Sequence, residues 1–384
     1  MDRPQILEQL VAVAKTVDNE FISQWKKNGG KVIGYTCLFV PEELIIAAGM
    51  LPFRIRGTGN SDTANADIYF SPESTCSFIR NCFESVISGK YDFLDGLVIP
   101  RTCDVASIFA ENLRSSGSKL PVIQLMLPHV ADESAADYYK KQLLKLKTKL
   151  EAEYSIEIPA ERLSSAISLC NETRRLQQQF CELFKRGEPP LSGADWSAVM
   201  TAGQSMPKEK YNSLLRQLLT CYPPAVSGGA ASQSKRLMLV GACGDDSLVA
   251  ETVEKVGGLL AYDFTCFGGI SIGGQIVEGS DWAKAFARFR LIDYPYCAIL
   301  IGAEEKRKAA ITLAVKDYAI DGIIGQWLDC CDATAAGMLI LQEEMKEAGV
   351  PCMLFKREYM PDSFGQITTR IQALCETLTG GDMK

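Results

Sequence analysis

The chain has 384 residues, 47% of them hydrophobic and 23% charged, with a net charge of −7. That length exceeds one small core and calls for two domains with a helical insert. The acidic balance excludes a general nucleic-acid binder, and no apolar run approaches the ~20 residues of a membrane span.

The first stretch, "MDRPQILEQLVAVAKTVDNEF", reads as an amphipathic helix with acidic residues. It lacks the basic start and cleavage site of a secretory signal, so a cytoplasmic protein is expected. Alternating strands and helices follow. "KVIGYTCLFV" is a strand and its exit, "PEELIIAAGM" a helix with Pro41 in its first turn, and "LPFRIRG" a short strand. "SFIRNCFESVISGKY" is a helix, "FLDGLVIP" a strand, "VASIFAENLRSS" a helix and "LPVIQLMLP" a strand. Such alternation implies a parallel sheet covered by helices.

Strand signals then stop. "SAADYYKKQLLKLKTKLEAEY", "PAERLSSAISLCNETRRLQQQFCELFKRG" and "PKEKYNSLLRQLLTCY" have helical spacing, with "GEPPLSGAD" as a loop. "PPAVSGGAASQSK" is the clearest linker. Beyond it, "KRLMLVGACGDDS", "LLAYDFTC", "DGIIGQWL" and "PCMLFKRE" read as strands with their exits, separated by helical stretches and closed by "GQITTRIQALCETL". The fold class expected is α/β, with two similar Rossmann- or flavodoxin-like parallel-sheet domains and a helical insert. The boundaries are 1–133 for the first domain with its leading helix, 134–223 for the helical segment, 224–234 for the linker and 235–384 for the second domain.

The two α/β regions echo each other. "LDGLVIPRTCD" and "IDGIIGQWLDCCD" both open an apolar strand with Asp-Gly and close on Cys-Asp. The pattern suggests an ancient duplication.

Cysteine and histidine are the unusual entries in the composition, at 14 and one. A reducing cytoplasm makes a disulfide framework unexpected. The single His129 excludes His-rich zinc sites and His-based triads, and reads as a loop or surface residue. Thiolates and carboxylates therefore carry whatever chemistry there is. Ligands of parallel α/β sheets bind beyond the carboxyl ends of the strands. Cys37, Cys103, Cys243, Cys266, Cys330 and Cys331 all follow predicted strands. Cys76, in "PESTCSFIR", opens a helix, where the N-terminus favours the thiolate. Each thiol taken singly also reads as a small buried hydrophobe. Cys82, Cys170, Cys181, Cys221, Cys352 and Cys375, inside helices or strands, are assigned to packing. Three dispersed thiolates at Cys76, Cys103 and Cys331 suit an iron–sulfur cubane with one open iron. Zinc competes, but structural zinc sites show Cys pairs two to four residues apart, and there is no CxxC pair here. Zinc is not expected.

Other features carry less. "FGGISIGG" resembles a glycine-rich phosphate loop, matches neither standard fingerprint, and reads as a flexible loop. Arg54 and Arg56 follow a strand, to meet an anionic ligand or solvent. "EEKRK" reads as a solvated helix face. Glu42 and Glu43 lie one turn from Cys37, as acid/base groups or as complements to the helix dipole.

"IGYTCLFVPEELIIAAGMLP", "TCSFIR", "LDGLVIPRTCD", "LDCCD" and "FGQITTRIQAL" occur in this order. Together they resemble the 2-hydroxyacyl-CoA dehydratase and benzoyl-CoA reductase subunit family, and the D-component of 2-hydroxyglutaryl-CoA dehydratase in particular, from about Lys31 to Leu378. The resemblance implies two flavodoxin- or Rossmann-like domains with helical additions. It implies a [4Fe–4S] cluster on Cys76, Cys103 and Cys331. It implies a homologous second subunit, an ATP-hydrolysing iron–sulfur activator that injects one low-potential electron, and an acyl-CoA substrate. The fourth iron would take the thioester carbonyl. The substrate, as a ketyl radical anion, would lose its 2-hydroxyl and then a C3 proton to give an enoyl-CoA. Glu43 is the candidate carboxylate near the leaving hydroxyl. Cys330 beside Cys331 leaves the third ligand open, with Asp-Gly spacing and Cys-Asp pairing favouring Cys331. Cys37, Cys243, Cys266 and Cys297 make this chain similar also to double-cubane proteins of the same family. Those are homodimers with a bridged [8Fe–9S] pair that reduce small molecules. A third alternative is an electron-transfer subunit of the benzoyl-CoA reductase type.

Overall fold

A computed structural model describes residues 4–57, 62–185, 187–222, 234–241, 244–245, 247–279, 281–360 and 364–380. Cys243 and residues 224–233 of the expected linker lie outside these.

The leading segment forms two helices, α1 (Gln5–Lys15) and α2 (Glu20–Lys27), where one was expected. Asn19 makes the break. Its side-chain oxygen accepts from the amides of Phe21 and Ile22, a favoured N-cap arrangement, and its Nδ2 donates to the Ser205 carbonyl at 2.9 Å.

The first sheet comes from β1 (Val32–Tyr35), α3 (Glu42–Ala47), β2 (Leu51–Arg54), α4 (Ser77–Ile87), β3 (Gly96–Pro100), α5 (Asp104–Ser115) and β4 (Val122–Leu125). All strands are parallel, in the order β2-β1-β3-β4. β1 and β3 are buried throughout, as parallel strands covered on both faces require. Pro52 is tolerated inside β2 because that strand is an edge.

Four helices follow: α6 (Glu133–Tyr154), α7 (Ala160–Glu182), α8 (Gly193–Ala202) and α9 (Lys208–Cys221). α8 was not anticipated. Its signal is Ser192, which forms a capping box with Asp195 inside the stretch read as a loop. These helices brace both sheets. Tyr139, Leu143 and Leu146 of α6 share a core with Ile33 and Val98 of the first sheet. Trp196, Val199 and Met200 of α8 share another with Met238 and Val240 of the second.

The second sheet comes from β5 (Arg236–Gly241), α10 (Leu248–Lys255), β6 (Leu259–Phe264), α11 (Gly269–Ile272), α12 (Trp282–Arg288), a π-helical turn (Phe289–Asp293), α13 (Glu304–Asp317), β7 (Gly322–Leu328), α14 (Asp332–Glu347), β8 (Cys352–Arg357) and α15 (Gly365–Gly380). Its order, β6-β5-β7-β8, repeats that of the first sheet. The α/β class with two parallel sheets thus stands as read.

The doubled Asp-Gly has a structural meaning. The carboxylate of Asp95 accepts from the amide of Val32 at 2.8 Å, and that of Asp321 from the amide of Arg236 at 2.7 Å. Each aspartate fastens the entry of its strand to the entry of the first strand of its sheet. The glycine after it leaves room: a Cβ at Gly96 would stand 2.0 Å from the Tyr154 hydroxyl.

Candidate functional site

A cavity of about 340 Å³ opens beyond the carboxyl ends of the strands and is walled by both sheets. Among the described residues, seven of its lining side chains are cysteines: Cys37, Cys76, Cys103, Cys266, Cys297, Cys330 and Cys331. The other charged lining residues are Asp104, Asp332 and Arg307, and the wall is otherwise largely apolar.

Cys76, Cys103 and Cys331 share a local structure. Each is the N-cap residue of a helix: Cys76 of α4, Cys103 of α5 and Cys331 of α14. The Cys103 sulfur accepts from the amide of Ala106 at 3.5 Å, and Cys331 Sγ lies 3.2 Å from Thr334 Oγ1. A helix N-terminus exposes unsatisfied amides and so suits a thiolate. Burial outweighs that effect here. Burial pushes the Cys76 thiol up to about 12, with the Ile79 amide pulling the other way. Burial also raises Cys103, against the amide of Ala106. The lowered thiol expected at Cys76 is therefore overturned by desolvation.

Cys330 differs from its neighbour. Its backbone is left-handed, with φ of 60°. Its thiol approaches the carbonyl of Glu73 at 3.3 Å, and its amide donates to Asp329 Oδ1 at 2.9 Å. Of the adjacent pair, only Cys331 caps a helix.

Cys37, Cys266 and Cys297 form a second group. Cys37 follows β1 and Cys266 follows β6, so one comes from each sheet. Cys297 lies in the loop between the π-helical turn and α13. Contact with the Cys266 thiol, then burial, raises the Cys297 thiol well above the ordinary range. Burial, then Cys266, raises Cys37 to about 11.

Glu43 is not brought to this cavity. It is buried, and its carboxylate pairs with Arg174 of α7. Glu42 accepts from the Tyr35 hydroxyl at 2.6 Å and from Lys208 Nζ at 2.9 Å. Arg54 and Arg56 are fully buried, not solvated. Arg54 donates to the Gln204 side chain and to the Cys266 carbonyl, each at 2.7 Å, and Arg56 pairs with Asp245 at 3.3 Å. The glycine-rich stretch is no flexible loop, because Gly269, Ile270 and Ile272 are buried in α11. His129 is exposed, as read. Cys221 is exposed too, at the end of α9, and takes no part in core packing. Sequence reasoning missed Thr334 at the cavity, which no motif flags, and "EEKRK", read as a solvated helix face, contains Arg307, which lines the cavity.

Among the described residues, no three His, Cys, Asp or Glu side chains close on a point as a single ion requires. Thiolates sharing one zinc, each about 2.3 Å from it, stand within about 4 Å of one another. The lining offers seven sulfurs beside the hydroxyls of Thr36, Ser74, Thr102, Tyr296 and Thr334 and two carboxylates, and sulfur is the donor that iron–sulfur ligation uses.

No helix among the described residues is long and apolar enough to cross a membrane. Residues 37–378 match the family model described as 2-hydroxyglutaryl-CoA dehydratase, D-component. The chain is 26% identical over 363 residues to the (R)-phenyllactyl-CoA dehydratase beta subunit of Clostridium sporogenes, covering 92% of this chain and 93% of that one. It is 23% identical to the (R)-2-hydroxyglutaryl-CoA dehydratase subunit beta of Acidaminococcus fermentans, covering 93% and 95%. Over 223 residues it is 30% identical to a benzoyl-CoA reductase subunit of Thauera aromatica, covering 57% and 58%. A match over nearly the whole chain, on a fold with two parallel sheets, means that this protein belongs to the 2-hydroxyglutaryl-CoA dehydratase D-component family.

Proposed function

We propose that this chain is the iron–sulfur subunit of a 2-hydroxyacyl-CoA dehydratase, converting an (R)-2-hydroxyacyl-CoA to an enoyl-CoA. It would work with a homologous second subunit and an ATP-dependent iron–sulfur activator, in the cytoplasm. The observation that carries this reading is that Cys76, Cys103 and Cys331, three helix N-caps, line one cavity between the two sheets. The dehydratase beta subunits to which the chain is similar support the substrate class. The described cysteines are all free, which suits a reducing compartment.

A [4Fe–4S] cluster bound there would supply a low-potential electron and, at an iron without a protein thiolate, a Lewis acid. The chain's own residues have separate tasks. Cys76, Cys103 and Cys331 would hold the cluster as thiolates. The helix amides behind Cys76 and Cys103 offset part of the cost of their charge. Phe78, Ile79, Leu328 and Met338 keep the wall apolar, so that water is excluded from a reactive intermediate.

Anaerobically purified protein should carry about four irons per chain and absorb near roughly 400 nm. With activator, ATP and a reductant it should convert a 2-hydroxyacyl-CoA to a product lighter by one water, read by mass spectrometry. Protein without iron after reconstitution sinks this reading.

A second reading rests on the second thiol group. Cys37, Cys266 and Cys297 add three sulfurs to the same cavity. Two sets of three suit a double-cubane [8Fe–9S] centre, in a homodimer that reduces small molecules without CoA chemistry. About eight irons per chain, falling to about half in Cys266→Ala, would favour it.

A further inference from the structure

The two ends of the thiol cavity differ in charge. Cys103 and Cys331 are each followed by an aspartate that lines the wall, Asp104 and Asp332. Arginines stand beside Cys37, Cys266 and Cys297, and the buried Asp263 at the end of β6 is a carboxylate nearby. Arg54 donates from Nη1 to the Cys266 carbonyl at 2.7 Å, and Arg307 from Nη1 to the Cys297 carbonyl at 3.2 Å.

Arg290 is the third. It is only 8% exposed, and its Nε has no hydrogen-bond partner. The π-helical turn Phe289–Asp293 holds it, with the ring centres of Phe289 and Phe286 at 4.8 and 5.8 Å from the guanidinium. Arg290 lines a cavity of about 30 Å³ together with Leu38, the residue after Cys37. The carboxylates nearby are committed, Glu43 to Arg174 and Glu42 to Lys208. Ring faces compensate a buried cation only in part. Arg290 thus holds a buried positive charge behind Cys37 with no ion pair among the described residues.

We propose that Arg290, flanked by Arg54 and Arg307, is a positioning residue that equips the Cys37–Cys266–Cys297 end of the cavity to hold negative charge, so that a centre bound there is the more easily reduced of two. The proposal rests on the double-cubane reading. Each one-electron reduction adds one negative charge to a centre, and a nearby cation in a low-dielectric wall stabilises the reduced form. The aspartates at the opposite end act with the reverse sign.

The test is an anaerobic titration with dithionite, followed by electron paramagnetic resonance, on wild type, Arg290→Gln, Arg290→Lys and Arg307→Gln. Iron is counted on each sample first. In wild type two reduction steps are expected. In Arg290→Gln the higher-potential step should move to lower potential, with the lower step moving less and the iron content unchanged. Arg290→Lys, which keeps the charge, should stay near wild type. Arg307→Gln, a half-buried position, should move the same step in the same direction, and it decides the matter if Arg290→Gln does not fold. Full iron with both steps unmoved overturns the proposal and leaves the double-cubane reading standing. About four irons that survive Cys266→Ala remove that reading, and the proposal with it.

Discussion

Cys103 and Cys331 occupy the same place in two sheets. Each caps the helix that follows the strand next to the sheet's first strand, β3 in one and β7 in the other. The entry to each strand is fastened in the same way, by Asp95 to Val32 and by Asp321 to Arg236.

That equivalence makes the two thiols testable as a pair. Cys103→Ala and Cys331→Ala should each remove most of the iron and the absorption near roughly 400 nm. Cys330→Ala should keep both, because its thiol is engaged with the Glu73 carbonyl and it caps no helix. Iron retention in the first two variants, or its loss in the third, would overturn the assignment.

Gly241 ends β5 at the cavity wall with φ of +142°. A Cβ there would stand 1.9 Å from the Gln326 carbonyl oxygen of β7. Since both contacting groups are backbone, the strands themselves would have to part. Gly241→Ala should destabilise the protein by about 1–3 kcal/mol or more. Chemical denaturation measures this, and an unchanged midpoint would contradict the close approach.

Glu43 and Arg174 form a buried ion pair, with side chains 2% and 7% exposed. Removing one partner of such a pair costs about 3–5 kcal/mol, because the other charge stays buried. Glu43→Gln should therefore lower the melting temperature by several degrees, and Glu43→Gln with Arg174→Gln should restore part of the loss. A Glu43→Gln protein of unchanged stability but without turnover would instead place this carboxylate on the substrate.

Burial holds Cys76 at about 12 and Cys37 at about 11, against an ordinary value of 9.0. The folded state then keeps protons that the unfolded state releases. Stability from these thiols is present in full below about pH 8.5 and is lost as pH rises toward the folded values. Denaturation of metal-free protein should give a flat midpoint up to about that pH and a falling one above it. Cys76→Ala should fall less steeply.

The sheets were legible because parallel strands covered on both faces leave short continuous apolar runs, as in Val32–Tyr35 and Gly96–Pro100. The helix starts at Cys76, Cys103 and Cys331 were legible for a local reason, since each thiol ends a strand exit or opens an amphipathic run. What the sequence hid was long-range. Nothing local to Glu43 announces Arg174, and nothing near Arg54 announces Gln204 or the Cys266 carbonyl. A charged residue after a strand looks the same in one dimension whether it meets water or a buried partner. The break at Asn19 and the helix after Ser192 were legible in principle, as capping residues, but weak beside longer apolar patterns.

The cavity draws its thiols from widely separated stretches of the chain, with Cys37, Cys76 and Cys103 made well before Cys330 and Cys331. A ribosome would release the first three long before the last two exist. Any cofactor gripping all of them could be installed only once Cys331 has been made, and the early thiols would have to be kept reduced and unoccupied until then, open to competition from oxygen and stray metals throughout the wait.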